Sequence, residues 1–219
     1  MFGDNPIRPP VFGDGQTLSV QNIFLTIQGE GPYVGMPAVF IRLGGCNLAC
    51  SFCDTEFESF SEMSLSQIID DVLLKKGNSE LVVITGGEPL RQPIEILTER
   101  LLDLGLKVQV ETNGTLYRKL PKKVDIICSP KAGKNGYYPI RPDLLKSISA
   151  FKFIISKHIA EYSSVPDLAL EGHKIPIFVQ PMDEQDEAKN LANRNYAMDL
   201  AIKNGYRLSI QLHKILDIE

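Results

Sequence analysis

The sequence predicts an α/β protein in which mostly parallel strands form a partial, TIM-like barrel with fewer helices than strands. Short apolar runs alternate with helical stretches along most of the chain. Unusual polar residues follow these runs, at the sheet edge where barrels and open α/β sheets place their active sites. Three of the four cysteines fall within eight positions, between Cys46 and Cys53.

The bulk properties describe an ordinary globular chain. A length of 219 residues is sufficient for one sizeable core, so we expect a single domain over 1–219. Residues 1–17 carry proline and glycine without periodicity and predict an irregular N-terminal arm. A net charge of −4 argues against a nucleic-acid surface, and no apolar run reaches membrane-spanning length. We therefore expect a cytoplasmic protein with neither a membrane nor a nucleic-acid partner.

The first two strands are predicted over 19–28 and 37–43. The first ends in Gln28-Gly29-Glu30-Gly31-Pro32, where glycines would let the backbone approach a ligand closely. Taken alone, residues 28–32 are explained better by a tight surface turn than by a ligand site. The second strand carries one charge, Arg42, which is costly in an apolar run unless it meets a carboxylate or an anionic ligand. Its position four residues before Cys46 favours a ligand.

The clearest helix is predicted over 64–76, with Ser64 and Gln67 as a capping box and Gly77 as its stop. Its apolar residues share one helical face and are core: Leu65, Ile68, Ile69, Val72 and Leu73. Strands are then expected over 81–84, 107–110, 124–127, 151–155, 175–179 and 206–211. Helices are expected over about 94–104 and 186–204, each followed by glycine.

The cysteines form the pattern C-x3-C-x2-C. Iron–sulfur clusters are usually held by four thiolates, so three would leave one iron open to a non-protein ligand. Zinc would need a fourth protein ligand or a water, and the protein candidates are Cys128, His158, His173 and His213. A disulfide with a free thiol, or ordinary buried cysteines, are further alternatives. Ligand counting favours a cluster over zinc.

This pattern is the signature of the radical S-adenosylmethionine (SAM) enzymes. Three neighbouring stretches narrow the match: Thr26-Ile27-Gln28-Gly29-Glu30-Gly31, Phe40-Ile41-Arg42-Leu43 and Cys53-Asp54-Thr55. Together they resemble the 7-carboxy-7-deazaguanine synthase family of queuosine and 7-deazapurine biosynthesis. The resemblance runs from about Leu18 to the C-terminus.

The resemblance implies a [4Fe–4S] cluster on Cys46, Cys50 and Cys53, with SAM bound to its open iron. The SAM-binding positions it implies are Phe52, Cys53, Asp54, Gly86, Gly87, Glu88, Ser129, Pro130, Lys131, Gln180, Pro181, Met182 and Asp183. Backbone carbonyls exposed by the glycines would suit the SAM ammonium group, and Lys131 would neutralise its carboxylate.

The substrate implied is 6-carboxy-5,6,7,8-tetrahydropterin. The positions that match substrate-contacting residues are Ile27, Gln28, Gly29, Arg42, Thr85, His213 and Glu219. Thr55 matches a Mg²⁺ ligand, and Mg²⁺ is usually held by few protein oxygens together with substrate and water.

The predicted activity is a radical SAM lyase reaction. A 5′-deoxyadenosyl radical would remove hydrogen from C6 of the pterin, the ring would contract, and ammonia would leave. A flavodoxin- or ferredoxin-type electron donor and a homodimer are also implied by the resemblance. One alternative is a radical SAM activase that makes a glycyl radical on a partner protein, and another is a zinc-stabilised interaction module.

Overall fold

The computed structural model describes residues 5–167 and 175–218, and its main feature is a nine-stranded sheet. The strands of the sheet are Thr17–Ile27 (β1), Pro37–Leu43 (β2), Ser61–Ser64 (β3), Leu81–Gly86 (β4), Lys107–Thr112 (β5), Asp125–Cys128 (β6), Ile148–Ile155 (β9), Ile177–Pro181 (β10) and Arg207–Leu208 (β11). Two further short strands, Ala132–Gly133 (β7) and Gly136–Tyr137 (β8), form a separate antiparallel pair. The α-helices are Leu65–Lys75 (α1), Glu95–Asp103 (α2), Pro142–Leu145 (α3), Glu187–Asn204 (α4) and Leu212–Leu216 (α5).

The strand order in the sheet is β11-β10-β9-β6-β5-β4-β2-β1-β3. The run from β2 to β11 is parallel throughout, whereas β1 lies antiparallel to both β2 and β3. The strands β3 and β11 are the two ends of the order, so the sheet is open. The predicted α/β fold, a mostly parallel partial barrel with fewer helices than strands, is confirmed for the described residues.

Alternate residues of the parallel strands belong to two different environments. Ile41, Ile84 and Phe153 belong to the main hydrophobic core, together with apolar residues of α1, α2 and α4. Their alternating neighbours, including Arg42 and Lys152, line a cavity on the other face. Because side chains alternate along a strand, one face of the sheet packs on helices while the other forms a site.

The helix ends follow the predicted capping chemistry. Ser64 caps α1, with its side chain bonded to the Gln67 N–H and the Gln67 side chain bonded back to the Ser64 N–H. Asp186 caps α4, and Gly205 ends that helix in the left-handed conformation at φ +70°. These contacts satisfy backbone groups that a helix terminus leaves unpaired.

The C-terminal prediction is wrong in one respect. A strand was expected over 206–211, but only Arg207–Leu208 pairs with β10, and His213 lies in the short helix α5 rather than behind a strand. Beyond this pair the Ser209 N–H still donates to the Val179 carbonyl at 2.9 Å, and the Ser209 hydroxyl donates to Gln180 Oε1 and accepts from the Gly31 N–H. Within residues 5–167 and 175–218, no helix has the length and apolarity needed to cross a membrane.

Candidate active site

A cavity of about 270 Å³ lies on the inner face of the sheet and brings most of the predicted site residues together. The predicted residues that line it are Ile27, Gln28, Gly29, Arg42, Cys46, Cys50, Phe52, Cys53, Asp54, Thr55, Thr85, Gly86, Gly87, Ser129, Lys131, Gln180, Pro181, Met182, Asp183 and His213. Glu88 and Pro130 are not in this lining, and Glu219 and His173 lie outside the described residues.

The cysteine loop follows β2 and turns at Cys50, whose carbonyl accepts from the Cys53 N–H at 3.0 Å. All three thiols are free, and Leu48 and Phe57 pack against them. The Leu48 N–H points at Cys46 Sγ at 3.5 Å. Burial raises the pKa of Cys46 to about 12 and also raises the pKa values of Cys50 and Cys53. A cation bound beside these thiols would favour their ionised form.

Two glycines hold the end of β4 against the start of this loop. Gly86 has φ +118°, and a Cβ there would lie 2.2 Å from the Leu43 carbonyl oxygen. A Cβ on Gly87 would lie 2.1 Å from the Gly45 carbonyl oxygen. Their backbone donates in return, from Gly87 N to the Leu43 carbonyl at 3.1 Å. Any side chain would push the cysteine loop away from the sheet, so both positions require glycine.

Glu88 has a different environment from the glycines before it. Its carboxylate is 1% exposed and accepts from Thr112 Oγ1, from the Asn113 N–H and from the Leu90 N–H at 2.7, 2.7 and 3.0 Å. Burial raises the pKa of this carboxyl group. In this arrangement Glu88 joins the ends of β4 and β5 beneath the cavity wall.

The predicted SAM-binding stretches come from β6 and β10. Lys131 Nζ donates to the Ser129 carbonyl and hydroxyl oxygens, both at 2.7 Å. Gln180 and Pro181 lie within β10 rather than beyond it, and Met182 follows with its N–H on the Ile155 carbonyl. Cys128, in contrast, is a fully buried core residue that does not reach the cavity, and burial raises its pKa.

A buried ion triad that the sequence analysis missed lies in the cavity wall. Lys152 of β9 contacts Glu30 Oε2 and Glu111 Oε2, each at 2.5 Å, and its side chain is 6% exposed. Glu30 also accepts from Gln180 and Gln211 at 3.0 and 3.1 Å. Burial alone would disfavour the Glu30 carboxylate, but the Lys152 ammonium lowers the pKa of Glu30 to about 2. The same reasoning that marked Arg42, a charge in an apolar strand, would have found Lys152.

The turn after β1 enters the cavity from an unexpected direction. Because β1 is antiparallel, its end at Ile27 pairs with Pro37 at the start of β2, opposite the edge that carries the cysteine loop. From there Gln28, 2% exposed, reaches Glu111 Oε1 at 3.4 Å. A Cβ on Gly29 would lie 2.6 Å from His213 Nδ1, so the glycine makes room for α5. Arg42 lies over the Phe24 ring, 5.0 Å from its centroid.

The cavity rim near Thr55 is joined to the C-terminal helix. Lys214 of α5 bonds to Asp54 Oδ2 at 2.6 Å and to Asp183 Oδ2 at 2.7 Å. Burial would raise the pKa of Asp183, but the Lys214 hydrogen bond lowers it to about 2. Thr55 Oγ1 lies 3.4 Å from Asp54 Oδ1, which places two side-chain oxygens next to each other at the rim.

The cysteine loop fits a cluster. In the described residues, no three His, Cys, Asp or Glu side chains converge closely enough to hold a single metal ion. A cubane does not require this convergence, because each thiolate binds a different iron. Three free thiols around one cavity, with an apolar shell and a backbone N–H at one sulfur, supply the ligand type and environment that such a cluster takes.

Comparison with known proteins agrees with this chemistry. Residues 40–130 match the family described as the Radical SAM superfamily. This match and the full-length relatives that follow make the chain a radical SAM enzyme, a class whose members use a [4Fe–4S] cluster and SAM. The chain is 58% identical to the 7-carboxy-7-deazaguanine synthase of Rickettsia prowazekii, over 100% of this chain and 96% of the relative. It is 41% identical to that of Rhodospirillum rubrum, over the full length of both.

A solved structure shares the fold as well. The crystal structure of QueE from Escherichia coli matches with a TM-score of 0.78 and 25% identity, covering 90% of this chain and 95% of that one. The chain belongs to the 7-carboxy-7-deazaguanine synthase family and is a radical SAM lyase.

Proposed function

We propose that this chain converts 6-carboxy-5,6,7,8-tetrahydropterin into 7-carboxy-7-deazaguanine with loss of ammonia. The observation that carries the proposal is that one cavity is lined by the three-cysteine loop and by the Gln28, Arg42 and Thr85 side chains. A substrate held by the latter group lies within the same enclosure as the cofactors. Both named relatives that match the whole chain are synthases of this product.

On the cofactor side, we propose that Cys46, Cys50 and Cys53 hold the cluster. When bound, the cluster and SAM supply a 5′-deoxyadenosyl radical that removes a hydrogen atom from C6 of the substrate. The chain binds and orients SAM through Phe52, Asp54, Gly86, Gly87, Ser129, Lys131 and residues 180–183. Lys131 is the cation of this set, and its half-buried ammonium can pair with the SAM carboxylate.

On the substrate side, Arg42 would bind the pterin carboxylate through its planar guanidinium group, with Phe24 supporting it from one side. Gln28 and His213 offer hydrogen-bonding groups to the pterin edge from the turn after β1 and from α5. Lys152, Glu30 and Glu111 add fixed charges to the same wall. Such preorganised charges orient a polar ring without having to reorganise during the reaction.

We further propose that Thr55 is a Mg²⁺ ligand and that the substrate carboxylate and water complete the coordination shell. A hydroxyl beside the Asp54 carboxylate at the rim supports this role, because Mg²⁺ takes oxygen ligands and retains waters. The ion would orient the carboxylated ring during its contraction. A flavodoxin- or ferredoxin-type donor, a single catalytic domain, a homodimer and a cytoplasmic location complete the proposal.

Anaerobic turnover tests the reaction. Purified holoenzyme with carboxytetrahydropterin, SAM and a reductant should form 7-carboxy-7-deazaguanine and one equivalent of ammonia, measured by mass spectrometry and an ammonia assay. No partner protein should be required, which distinguishes the lyase from a glycyl-radical activase. Cleavage of SAM without any deazaguanine product would refute the substrate assignment.

Variants at Thr55 test the magnesium site. Thr55→Ala should lower kcat by about tenfold or more and abolish its stimulation by Mg²⁺, since each ligand or its immediate support contributes about that factor. Thr55→Ser keeps the hydroxyl and should retain most of the stimulation. The exposed Thr17→Ala is a matched control. Equal magnesium dependence in Thr55→Ala and wild type would remove Thr55 from the site.

A further inference from the structure

The N-terminal strap, which we define as residues 5–12, lies across the cysteine loop. Ile7 forms a β-bridge with Cys46, and the Arg8 N–H donates to the Cys46 carbonyl at 2.7 Å. The Arg8 side chain reaches past the loop and bonds to Glu58 through Nε and Nη2, at 2.7 and 2.5 Å. The strap therefore holds the loop at its first cysteine and just beyond its last one.

Two arginines fix the other half of the strap to the body of the protein. Arg91, 4% exposed, donates to the Pro9 carbonyl at 3.1 Å, and its own carbonyl accepts from the Val11 N–H at 2.7 Å. Arg118 donates to the Val11 carbonyl at 2.6 Å. Arg91 also donates to the Gly44 carbonyl, directly before the loop. Irregular backbone anchored by such buried donors is ordered rather than frayed.

At the near end of the strap, Asn5 lines the cavity beside the third cysteine. Its Nδ2 lies 3.9 Å from Cys53 Sγ and 3.3 Å from the Thr55 carbonyl oxygen. Hydrogen bonds to cluster sulfurs and exclusion of solvent are the means by which a protein sets the potential of an iron–sulfur centre. An N–H that approaches a thiolate stabilises the reduced cluster, which carries one more negative charge.

We propose that the N-terminal strap is a cofactor-positioning element. Its backbone and Arg8 fix and cover the cluster-binding loop, and the Asn5 amide donates to the Cys53 thiolate, which raises the reduction potential of the cluster. The inference rests on the cluster that the family carries, and it does not depend on the identity of the substrate. Measurements without SAM and substrate therefore separate its failure from failure of the proposed function.

The redox role is tested by titrating the cluster of full-length holoenzyme and following its reduced EPR signal. Asn5→Ala should shift the midpoint potential to more negative values, and Asn5→Asp should shift it further, because a carboxylate repels the added electron. Asn204→Ala removes an exposed amide that donates to the Leu200 carbonyl and should leave the potential unchanged. A midpoint potential that is lower in Asn5→Asp than in Asn5→Ala would not arise from loosened packing alone.

The covering role is tested by the rate at which the cluster absorbance is lost in air. Arg8→Ala breaks the Glu58 contact and should accelerate the loss several-fold, as should Asn5→Ala. Arg141→Ala breaks an exposed ion pair with Asp143 and should behave as wild type. A variant that purifies with less cluster than Arg141→Ala also supports the strap. Potentials and rates of loss in both strap variants equal to wild type would overturn the proposal.

Discussion

At the scale of single residues, the inner face of the sheet is defined by charges in otherwise apolar strands. Arg42 and Lys152 occupy equivalent situations, because each is flanked by core residues and itself faces the cavity. The role of Arg42 could be predicted from the sequence, because Arg42 lies four residues before Cys46. Lys152 lies a hundred residues downstream, and its partners Glu30 and Glu111 are distant in sequence, so only the fold reveals the triad.

The triad gives a prediction about stability. Lys152→Met leaves two carboxylates buried without their cation, which should lower the free energy of unfolding by about 3–5 kcal/mol. The lowered pKa of Glu30 contributes stability that is full above its ordinary value of 4.5 and is lost as pH falls towards 2. Without Lys152 this contribution is absent and the Glu30 pKa rises, so the loss of stability relative to wild type should be largest near neutral pH and should shrink as pH falls below 4.5.

Thermal midpoints measured by circular dichroism between pH 3 and 8 would check this. Lys107→Met, at an exposed position at the start of β5, provides the matched control. A Lys152→Met protein with the same thermal midpoint as Lys107→Met at every pH would show that the triad contributes nothing to stability.

At the scale of elements, helices with clear boundaries were predictable and the sheet edges were not. The capping box at Ser64, the Asp186 cap and the terminal Gly205 are local signals that depend on neighbouring residues only. The direction of β1 could not be predicted from its own residues, because the same apolar run can pair with its neighbours in a parallel or an antiparallel manner. The two-residue β11 and the five-residue α5 are too short to show a period.

The helix α5 provides the element-scale prediction. Lys214 joins it to Asp54 and Asp183, both of which we propose to be near SAM. Lys214→Met should weaken SAM binding by about two- to fivefold, since a partly exposed ion pair contributes at most ~1 kcal/mol. The effect should fall on the dissociation constant for SAM more than on kcat, and high salt should reduce the difference from wild type.

Anaerobic calorimetric titration of SAM at low and high salt would measure this. Lys203→Met removes an exposed lysine from the last turn of α4 and should bind SAM as wild type does. Unchanged SAM affinity in Lys214→Met at low salt would mean that α5 does not order the cofactor site.

At the scale of the whole molecule, the two ends of the open sheet are joined by hydrogen bonds from the turn after β1 and not by a strand ladder. The turn after β1 meets the opposite end of the sheet, where Glu30 accepts from Gln180 and Gln211 and the Leu212 N–H donates to the Gly29 carbonyl at 3.1 Å. The same turn lies next to the start of β6, because Tyr33 donates to Asp125 Oδ2 at 2.5 Å. The contacts of Glu30 with Gln180 and Gln211 form part of the cavity wall, since all three residues line the cavity.

This closure predicts how the molecule opens. Amide hydrogen exchange should be slowest in the central strands β4, β5 and β6 and faster in residues 28–36 and 207–216, because the Glu30 side chain and the Leu212–Gly29 backbone hydrogen bond, and not a strand ladder, join the latter two segments. Glu30→Gln should raise exchange in both segments at once while leaving the central strands unchanged, since one carboxylate connects them. Glu99→Gln, on the exposed side of α2, should change neither. Faster exchange in only one segment would show that the two ends of the sheet open independently, and the cavity wall would then consist of two separate parts.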